Sequence, residues 1–229
     1  MADVLIFSAH PDDAEFGMGG TLLKLAKGHK VVNVILTHGE AGTYGTPEVR
    51  EQEAKRAAML AKAEMEFLDF MDNHVEDTAE NAKKLALVIR KYRPRVIFAP
   101  YHTNNFSHKD GAAHPDHTAL GSLARKAARF AKFKNADIAG EAHTADKLVY
   151  YMVPKYRKPS FVVDVSEVVD ALRNLWQCHE SQLQMRHGKL VDYLLVQRRA
   201  TGLFNGVEHA EAFIMEEPLK VSADDIFRI

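Results

Sequence analysis

The sequence predicts a three-layer αβα sandwich built around a mostly parallel, Rossmann-like sheet. Short apolar runs rich in β-branched residues, typical of strands buried on both faces, alternate along the chain with helical stretches. The first strand, helix and strand follow in the order that gives a parallel, right-handed crossover. With 229 residues, of which 46% are hydrophobic, we expect a single domain over residues 1–229.

The elements follow one another with breaks at glycine and proline. Strands are predicted at Val4–Phe7, Val31–Leu36, Glu66–Phe70, Val96–Ala99, Leu148–Met152 and Phe161–Val165, with a last apolar stretch at Phe213–Met215. Helices are predicted at Thr21–Lys27, Pro47–Ala63, Thr78–Tyr92, Pro115–Phe130, Val168–Leu183 and Lys189–Arg199. Tyr101–Ala113 lacks an apolar period, so we expect an irregular loop beside the site.

Charge and cysteine content limit the function classes. A formal net charge of −1 gives no general electrostatic reason to bind nucleic acid or an anionic membrane, and we expect neither as a partner. Cys178, the sole cysteine, suits a reducing compartment. No apolar run reaches the roughly 18 residues that span a bilayer, and the first strand begins too early to follow a signal peptide. We therefore expect a cytoplasmic location.

Two clusters of histidine and aspartate each follow an apolar run. His10-Pro11-Asp12-Asp13 comes directly after the first strand, and His114-Pro115-Asp116-His117 lies past the fourth. Open α/β sheets bind ligands at the carboxyl ends of their strands, so we expect both clusters at one edge of the sheet. Together they offer the imidazole and carboxylate groups of a single metal site.

The residue types in these clusters match a catalytic metal site. Catalytic zinc takes three protein ligands and leaves one position open for water, whose pKa the metal lowers toward neutrality. His10, Asp13 and a histidine of the second cluster supply such a set, because Cys178 is far from both clusters. The remaining carboxylate, Asp12, can then act as general base and later as acid.

Two other interpretations stay open from the residues alone. The aspartates and histidines can instead be capping residues at two helix starts. Gly17-x-Gly19-Gly20 resembles a phosphate loop, but its spacing departs from the dinucleotide fingerprint, and no acidic residue ends the second strand to hold a ribose. We therefore interpret these glycines as positions of close helix packing.

Taken in order, the motifs resemble those of the LmbE-like, or PIG-L, family of zinc-dependent N-deacetylases. The similarity covers most of the chain and includes His10-Pro11-Asp12-Asp13 with Glu15, Thr37-x-Gly39-Glu40, Gly45 to Glu53, His114-Pro115-Asp116-His117, Ser181-Gln182 and Ala210-Glu211-x-Phe213. The chain departs from the bacterial members at Thr103–Ala113, an intervening stretch. We expect His102 and His108, in or beside that stretch, to be surface residues unless the loop folds over the site.

The resemblance implies a role for each candidate residue. The metal ligands would be His10, Asp13 and His117, and the catalytic base would be Asp12. His114 would help to stabilise the oxyanion, with a fourth ligand as its alternative role. Arg50 matches an arginine that contacts substrate hydroxyls, with a solvated helix-start arginine as its alternative. One Zn²⁺ per chain is implied, although the same ligands accept other divalent metals.

The activity implied by the resemblance is hydrolysis of the N-acetyl group of an acetylated amino sugar of the N-acetylglucosamine type, giving a free amine and acetate. The nearest functional analogy is the deacetylation of N-acetylglucosaminyl malate in bacillithiol synthesis. The alternatives are an amidase of a thiol conjugate, a deacetylase of chitobiose or another glycan, and a metal-free sugar- or nucleotide-binding module. Relatives with this fold commonly form trimers or hexamers, so we expect a homo-oligomer.

Overall fold

A five-stranded parallel sheet forms the centre of the computed structural model, which describes residues 1–105 and 110–224. Its strands are β1 (Val4–Ser8), β2 (Val31–Ile35), β3 (Glu64–Phe67), β4 (Val96–Pro100) and β5 (Lys147–Tyr151). The helices are α1 (Asp13–Leu25), α2 (Pro47–Ala61), α3 (Ala79–Tyr92), α4 (Pro115–Ala131), α5 (Val169–Gln177) and α6 (Leu190–Phe204). A separate antiparallel pair consists of β6 (Phe161–Asp164) and β7 (Ala210–Phe213).

Helices cover both faces of the main sheet, which confirms the predicted three-layer sandwich. On one face, α3 and α4 contribute Leu85 and Leu123 to a core that includes Leu5 of β1. On the other face, the core combines Leu22 of α1 with side chains of α2, α5 and α6 such as Trp176. In the part of the chain that the structure describes, no helix is both long and apolar enough to cross a bilayer.

The strand order places β1 at the centre of the sheet. The order is β3-β2-β1-β4-β5. Strands β2 and β3 are added on one side of β1, and the chain then crosses to the other side of β1, where it adds β4 and β5. This reversal is a topological switch point, where open α/β sheets form a ligand-binding crevice. His10 follows β1 and the segment leading to α4 follows β4, so both polar clusters lie at this crevice.

The first helix begins earlier than the sequence predicts. We expected it at Thr21, after the glycines, but α1 starts at Asp13 and contains Gly17, Gly19 and Gly20. A Cβ atom at Gly17 would lie 2.5 Å from the Tyr151 ring, a separation that packed atoms do not tolerate. The glycines therefore allow close packing of α1, as interpreted from the sequence, and do not form a phosphate loop.

The third strand also differs from the prediction. It covers Glu64–Phe67 and not Glu66–Phe70, because its parallel register with β2 runs from Val32 opposite Glu64 to Ile35 opposite Phe67. The backbone N–H groups of Leu68 and Phe70 still donate to carbonyl oxygens of Ile35 and Leu36, so the chain follows β2 beyond the regular strand.

The predicted helix at Val168–Leu183 is shorter in the structure. Helix α5 ends at Gln177, and a 3₁₀ segment at Gln182–Gly188 leads into α6, which extends to Phe204. Within the 3₁₀ segment, Arg186 and His187 have positive φ angles of 57° and 56°, which a continuous right-handed helix cannot contain. The chain therefore turns between α5 and α6.

A buried ion pair completes the hydrogen bonding of α1 where that helix is kinked. Met18 has non-helical dihedral angles, φ −147° and ψ 27°, which interrupt the helix. The Glu211 carboxylate of β7 accepts the backbone N–H groups of Gly20 at 3.0 Å and Thr21 at 2.8 Å. Arg198 of α6 donates to Glu211 at 2.9 Å and to the Phe16 carbonyl oxygen at 2.8 Å. Elements late in the chain thus fix both halves of α1.

We predict that Glu211→Ala destabilises the fold strongly. The substitution leaves the Arg198 guanidinium and two backbone N–H groups buried without their acceptor, and losing one partner of a buried ion pair costs about 3–5 kcal/mol. The free energy of unfolding in urea measures this loss. Glu208→Ala, which breaks the exposed pair with Arg199, is the matched control, with an expected loss within about 1 kcal/mol. Equal losses in the two variants would contradict the assignment.

Candidate active site

The carboxylate of Asp13 organises the junction between β1 and α1. Its Oδ2 atom accepts the backbone N–H groups of Ala9 at 2.8 Å and His10 at 2.9 Å, which precede it in the chain. Asp12 occupies the N-cap position of α1 but makes no side-chain capping hydrogen bond. The capping interpretation is therefore wrong for both aspartates, and their carboxylates are available for other contacts.

Three predicted ligands meet at this junction. The Nε2 atom of His117, in the first turn of α4, lies 3.0 Å from Asp13 Oδ1 and 3.1 Å from His10 Nδ1. His10 Nδ1 lies 3.6 Å from Asp13 Oδ2. Tetrahedral zinc, with Zn–N bonds of about 2.0–2.1 Å, holds its ligand atoms roughly 3.3 Å apart. The spacing and the chemistry of this buried donor set therefore fit a zinc-sized divalent cation.

The electrostatics of the site favour positive charge. Burial acts to lower the pKa of His10, but the carboxylates of Asp13, Asp116 and Asp72 outweigh it and raise that pKa well above its ordinary value. Burial acts to raise the pKa of Asp13, but the imidazoles of His117 and His10 hold it well below its ordinary value. An excess of buried carboxylate around His10 is the charge environment that a divalent cation requires.

His114 lies beside this set and has a different hydrogen-bonding role. Its Nδ1 atom accepts the backbone N–H of Asp116 at 3.2 Å and caps α4, so the capping interpretation is correct for this residue. Burial and the neighbouring His10 lower the pKa of His114, which favours the neutral ring. Because Nδ1 is an acceptor, the neutral ring carries its proton on Nε2. The His114 ring centroid is 4.8 Å from that of His10.

A second group of possible ligand atoms overlaps the first. His10, His114 and Asp116 also offer atoms within 4.8 Å of one another, whereas His114 does not join the set of His10, Asp13 and His117. Both Asp116 oxygens already accept backbone N–H groups, from Asn73 and Val75, and His114 is only half-buried. The first set is therefore the better candidate, and the described geometry does not support His114 as its fourth ligand.

Arg50 is buried against Asp12 and is not a solvated residue. Its side chain is 6% exposed, and its Nη2 donates to Asp12 Oδ2 at 3.3 Å. Its Nη1 donates to the Gly39 carbonyl oxygen at 3.1 Å, and its buried Nε has no partner among the described residues. Gly39 has a φ of +68°, and a Cβ there would lie 2.0 Å from Arg50 Nη1. This glycine is thus required for Arg50 to reach Asp12.

The Ser181-Gln182 motif supports α2, which carries Arg50, and the loop before that helix. The Glu53 carboxylate of α2 accepts the backbone N–H and the hydroxyl of Ser181, both at 2.7 Å. The side-chain amide of Gln182 donates to the Tyr44 carbonyl oxygen at 2.7 Å. These contacts tie the segment after α5 to the loop that precedes α2, and so give the Ser181-Gln182 motif a structural role.

His102, beside the intervening stretch, does not join the metal set. Its side chain is partly exposed at the surface, with 16% of its area accessible, and its Nε2 contacts Glu216 at 2.6 Å. His108 lies outside the described residues. The described remainder of Thr103–Ala113 includes a 3₁₀ turn at Gly111–Ala113, directly before His114.

Asp72 is a site residue that the sequence reasoning missed. It is 5% exposed, and its Oδ1 lies 3.1 Å from His10 Nε2, on the side of the ring opposite the ligand set. Burial acts to raise its pKa, but hydrogen bonds from His10 and from backbone N–H groups lower the pKa to about 2. The available signal was an acidic residue two positions after the predicted third strand, Glu66–Phe70, at the same sheet edge as the two clusters.

Comparison with known proteins places the chain in a family. The profile described as PIG-L, GlcNAc-PI de-N-acetylase, matches residues 5–128, which run from β1 into α4 and include every residue of the candidate site from His10 to His117. A diacetylchitobiose deacetylase from Thermococcus kodakarensis is 34% identical over 194 residues, which cover 78% of this chain and 69% of that protein.

Solved structures share the whole architecture. The conserved protein TT1542 from Thermus thermophilus has a TM-score of 0.86 and 35% identity, over 97% of this chain and 98% of that one. The N,N'-diacetylchitobiose deacetylase from Pyrococcus horikoshii, in complex with an inhibitor, has a TM-score of 0.82 and 26% identity, over 93% and 83%. The chain therefore belongs to the PIG-L, or LmbE-like, family of de-N-acetylases and is an amide hydrolase.

Proposed function

We propose that this chain is a zinc-dependent deacetylase that removes the N-acetyl group from a glycoside of the N-acetylglucosamine type and releases acetate and a free amine. The observation that carries the proposal is the buried set of His10, Asp13 and His117, whose ligand atoms lie within 4.8 Å of one another. Asp12, beside Asp13 in the chain, is held by Arg50 and is not consumed by helix capping.

One metal ion per chain is proposed, with His10, Asp13 and His117 as its ligands. A divalent cation in such a site lowers the pKa of water and stabilises negative charge on a carbonyl oxygen. Two imidazoles and one carboxylate suit zinc, although the same donor set accepts other divalent metals. Three protein ligands leave room for water and substrate, as a catalytic site requires.

Asp12 is the proposed general base and acid. Its carboxylate would take a proton from the attacking water and return it to the amine that leaves when the amide C–N bond breaks. The Arg50 guanidinium donates to one Asp12 oxygen and leaves the other for this proton transfer. A contact with a substrate hydroxyl is proposed as a further role of Arg50, and it rests on the resemblance of the sequence motifs.

His114 is the proposed donor to the carbonyl oxygen. Its Nδ1 is held as an acceptor by the Asp116 backbone N–H, so the Nε2 proton is available to the negative charge that develops on that oxygen. The capping bond fixes the ring before substrate arrives. A donor that is oriented in advance needs no reorganisation during the reaction, which is the basis of oxyanion stabilisation.

Two glycosides are proposed as substrates. Diacetylchitobiose is favoured because the relative from Thermococcus kodakarensis and the structure from Pyrococcus horikoshii are named as deacetylases of that disaccharide. The proposal of N-acetylglucosaminyl malate, an intermediate of bacillithiol synthesis, rests on the resemblance of the sequence motifs. Both present the same acetamide to the site and differ in the group joined to the sugar.

The test of the proposal is acetate release by the zinc-loaded protein from a panel of acetylated compounds. Diacetylchitobiose, N-acetylglucosaminyl malate, free N-acetylglucosamine and an N-acetylcysteine S-conjugate are compared by kcat/KM. We expect the highest value for one of the two glycosides. A higher value for the cysteine conjugate would instead identify a thiol-conjugate amidase. Absence of acetate release from every sugar, by protein that retains zinc, would refute the proposal.

We predict that His117→Ala abolishes stoichiometric metal binding, because two remaining ligands do not hold zinc against dialysis. Metal content by mass spectrometry after dialysis should fall from about one ion per chain to near zero. His29→Ala, which removes an exposed histidine outside the site, is the control and should retain its metal. Retention of one ion per chain by His117→Ala would exclude His117 as a ligand. A wild-type chain that binds sugar but no metal would favour the binding module.

We predict that Asp12→Asn keeps the metal and lowers kcat by about 10²- to 10⁴-fold, the usual contribution of general acid–base catalysis. Arg50→Gln should lower kcat and raise KM together, because the side chain holds Asp12 and is proposed to contact substrate. Steady-state acetate release on the preferred glycoside measures both effects. Asp69→Asn, an exposed aspartate, is the control. Full activity of Asp12→Asn would rule out its proton-transfer role.

A further inference from the structure

The far side of the His10 ring is enclosed by carboxylates that the proposed reaction does not use. While Nδ1 faces Asp13 and His117, Nε2 lies 3.1 Å from Asp72 Oδ1 and 3.5 Å from Asp116 Oδ2. When His10 is neutral, as a metal ligand must be, its proton lies on Nε2, because Nε2 is 3.1 Å from a carboxylate oxygen that can only accept, whereas Nδ1 is 3.6 Å from the Asp13 carboxylate. The lone pair of His10 is then on Nδ1, directed to the ligand set.

Asp72 reaches His10 because the loop after β2 holds it from two sides. The backbone N–H of Asp72 donates to Glu40 Oε1 at 2.7 Å, and Asp72 Oδ2 accepts the backbone N–H of Ala41 at 3.0 Å. Oδ2 is thus committed to the loop, and Oδ1 is left for His10. This reciprocal contact gives a physical role to Glu40 of the Thr37-x-Gly39-Glu40 motif.

Asp116 anchors the same segment from the opposite direction. Its carboxylate, 1% exposed in the first turn of α4, accepts the backbone N–H groups of Asn73 at 2.8 Å and Val75 at 3.3 Å. At 3.5 Å from His10 Nε2, its own contact with the imidazole is longer than that of Asp72. Asp116 therefore acts on His10 mainly by holding the loop that carries Asp72.

The two histidine ligands differ in the hydrogen bonding of the ring nitrogen that faces away from the ligand set. The second ring nitrogen of His117, Nδ1, is buried and has no hydrogen-bond partner among the described residues. His117 is positioned by its place in the first turn of α4, whereas His10 follows β1 in a non-helical turn. Of the two histidine ligands, His10 is therefore the one whose second ring nitrogen has a carboxylate acceptor among the described residues.

We propose that Asp72 is a positioning residue of the metal centre: it accepts the Nε2 proton of His10, so that Nδ1 is the ligating atom, and Asp116 holds Asp72 in place. The inference rests on the proposed metal site. Carboxylates in this relation to a ligating histidine fix the ring orientation and raise its basicity, and their loss typically weakens metal binding by about 10- to 100-fold. Asp72 therefore controls metal affinity without touching the metal.

The experiment measures zinc affinity by competition with a chromophoric chelator, using the full-length protein. We expect the Kd for zinc to rise by about 10- to 100-fold in Asp72→Ala and by a smaller factor in Asp72→Asn, whose amide oxygen can still accept from Nε2. Asp69→Asn is the matched control, because Asp69 lies in the same connection but is exposed. The visible spectrum of the cobalt-loaded protein, which reports the ligand geometry, should change in Asp72→Ala and not in the control.

Wild-type zinc affinity in a folded Asp72→Ala protein, with an unchanged cobalt spectrum, would overturn the inference. If that variant does not fold, the intermediate affinity expected of Asp72→Asn provides the test, and wild-type affinity there is the contrary result. Asp116→Asn should lose both metal affinity and unfolding stability, because it also releases the loop. Metal affinity is measured without substrate, so a wild-type protein that binds zinc but releases no acetate would refute the proposed function and leave this inference standing.

Discussion

The site depends on one carboxylate that serves two elements at once. Asp13 Oδ2 accepts the N–H groups of Ala9 and His10, which directs the chain out of β1, and Asp13 Oδ1 faces His117 of α4. The same group therefore sets the local backbone and joins two segments that are distant in the sequence. Without it, the ligand side of the two histidines would lose its carboxylate, which lies 3.0 Å from His117 Nε2. A charge in this position is tolerated because it is hydrogen-bonded by backbone and faced by imidazole.

The polar side chains around Asp13 are also hydrogen-bonded to backbone groups of neighbouring loops. Asp72 is held by the loop after β2, the segment around Asn73 by Asp116, and Arg50 by the carbonyl oxygen of Gly39. Buried polar groups that are fully hydrogen-bonded specify one arrangement, whereas unpartnered ones are costly. The loops at the carboxyl ends of three strands are therefore interlocked around His10.

Much of the architecture could be predicted from local pattern. The buried strands, the two clusters at one sheet edge and the use of glycine for helix packing follow from the residues near each position. What could not be predicted depends on long-range contacts. The close packing of α1 depends on Tyr151 lying against Gly17, and the burial of Arg50 depends on Gly39. Asp72 carries no motif of its own, and its role is visible only when the loop after β3 is seen to fold against His10.

The metal ligands and the residues that hold the kinked helix α1 in place come from different parts of the chain. The ligand set lies wholly within the first 117 residues, yet the helix that presents Asp12 and Asp13 is braced by Tyr151, Arg198 and Glu211 from later in the chain. A fragment ending after α4 would thus contain the ligands and Asp12 but would lack the contacts that hold α1 in position. The first part of the chain supplies the ligands of the site, and the rigidity of the site depends on the later part as well.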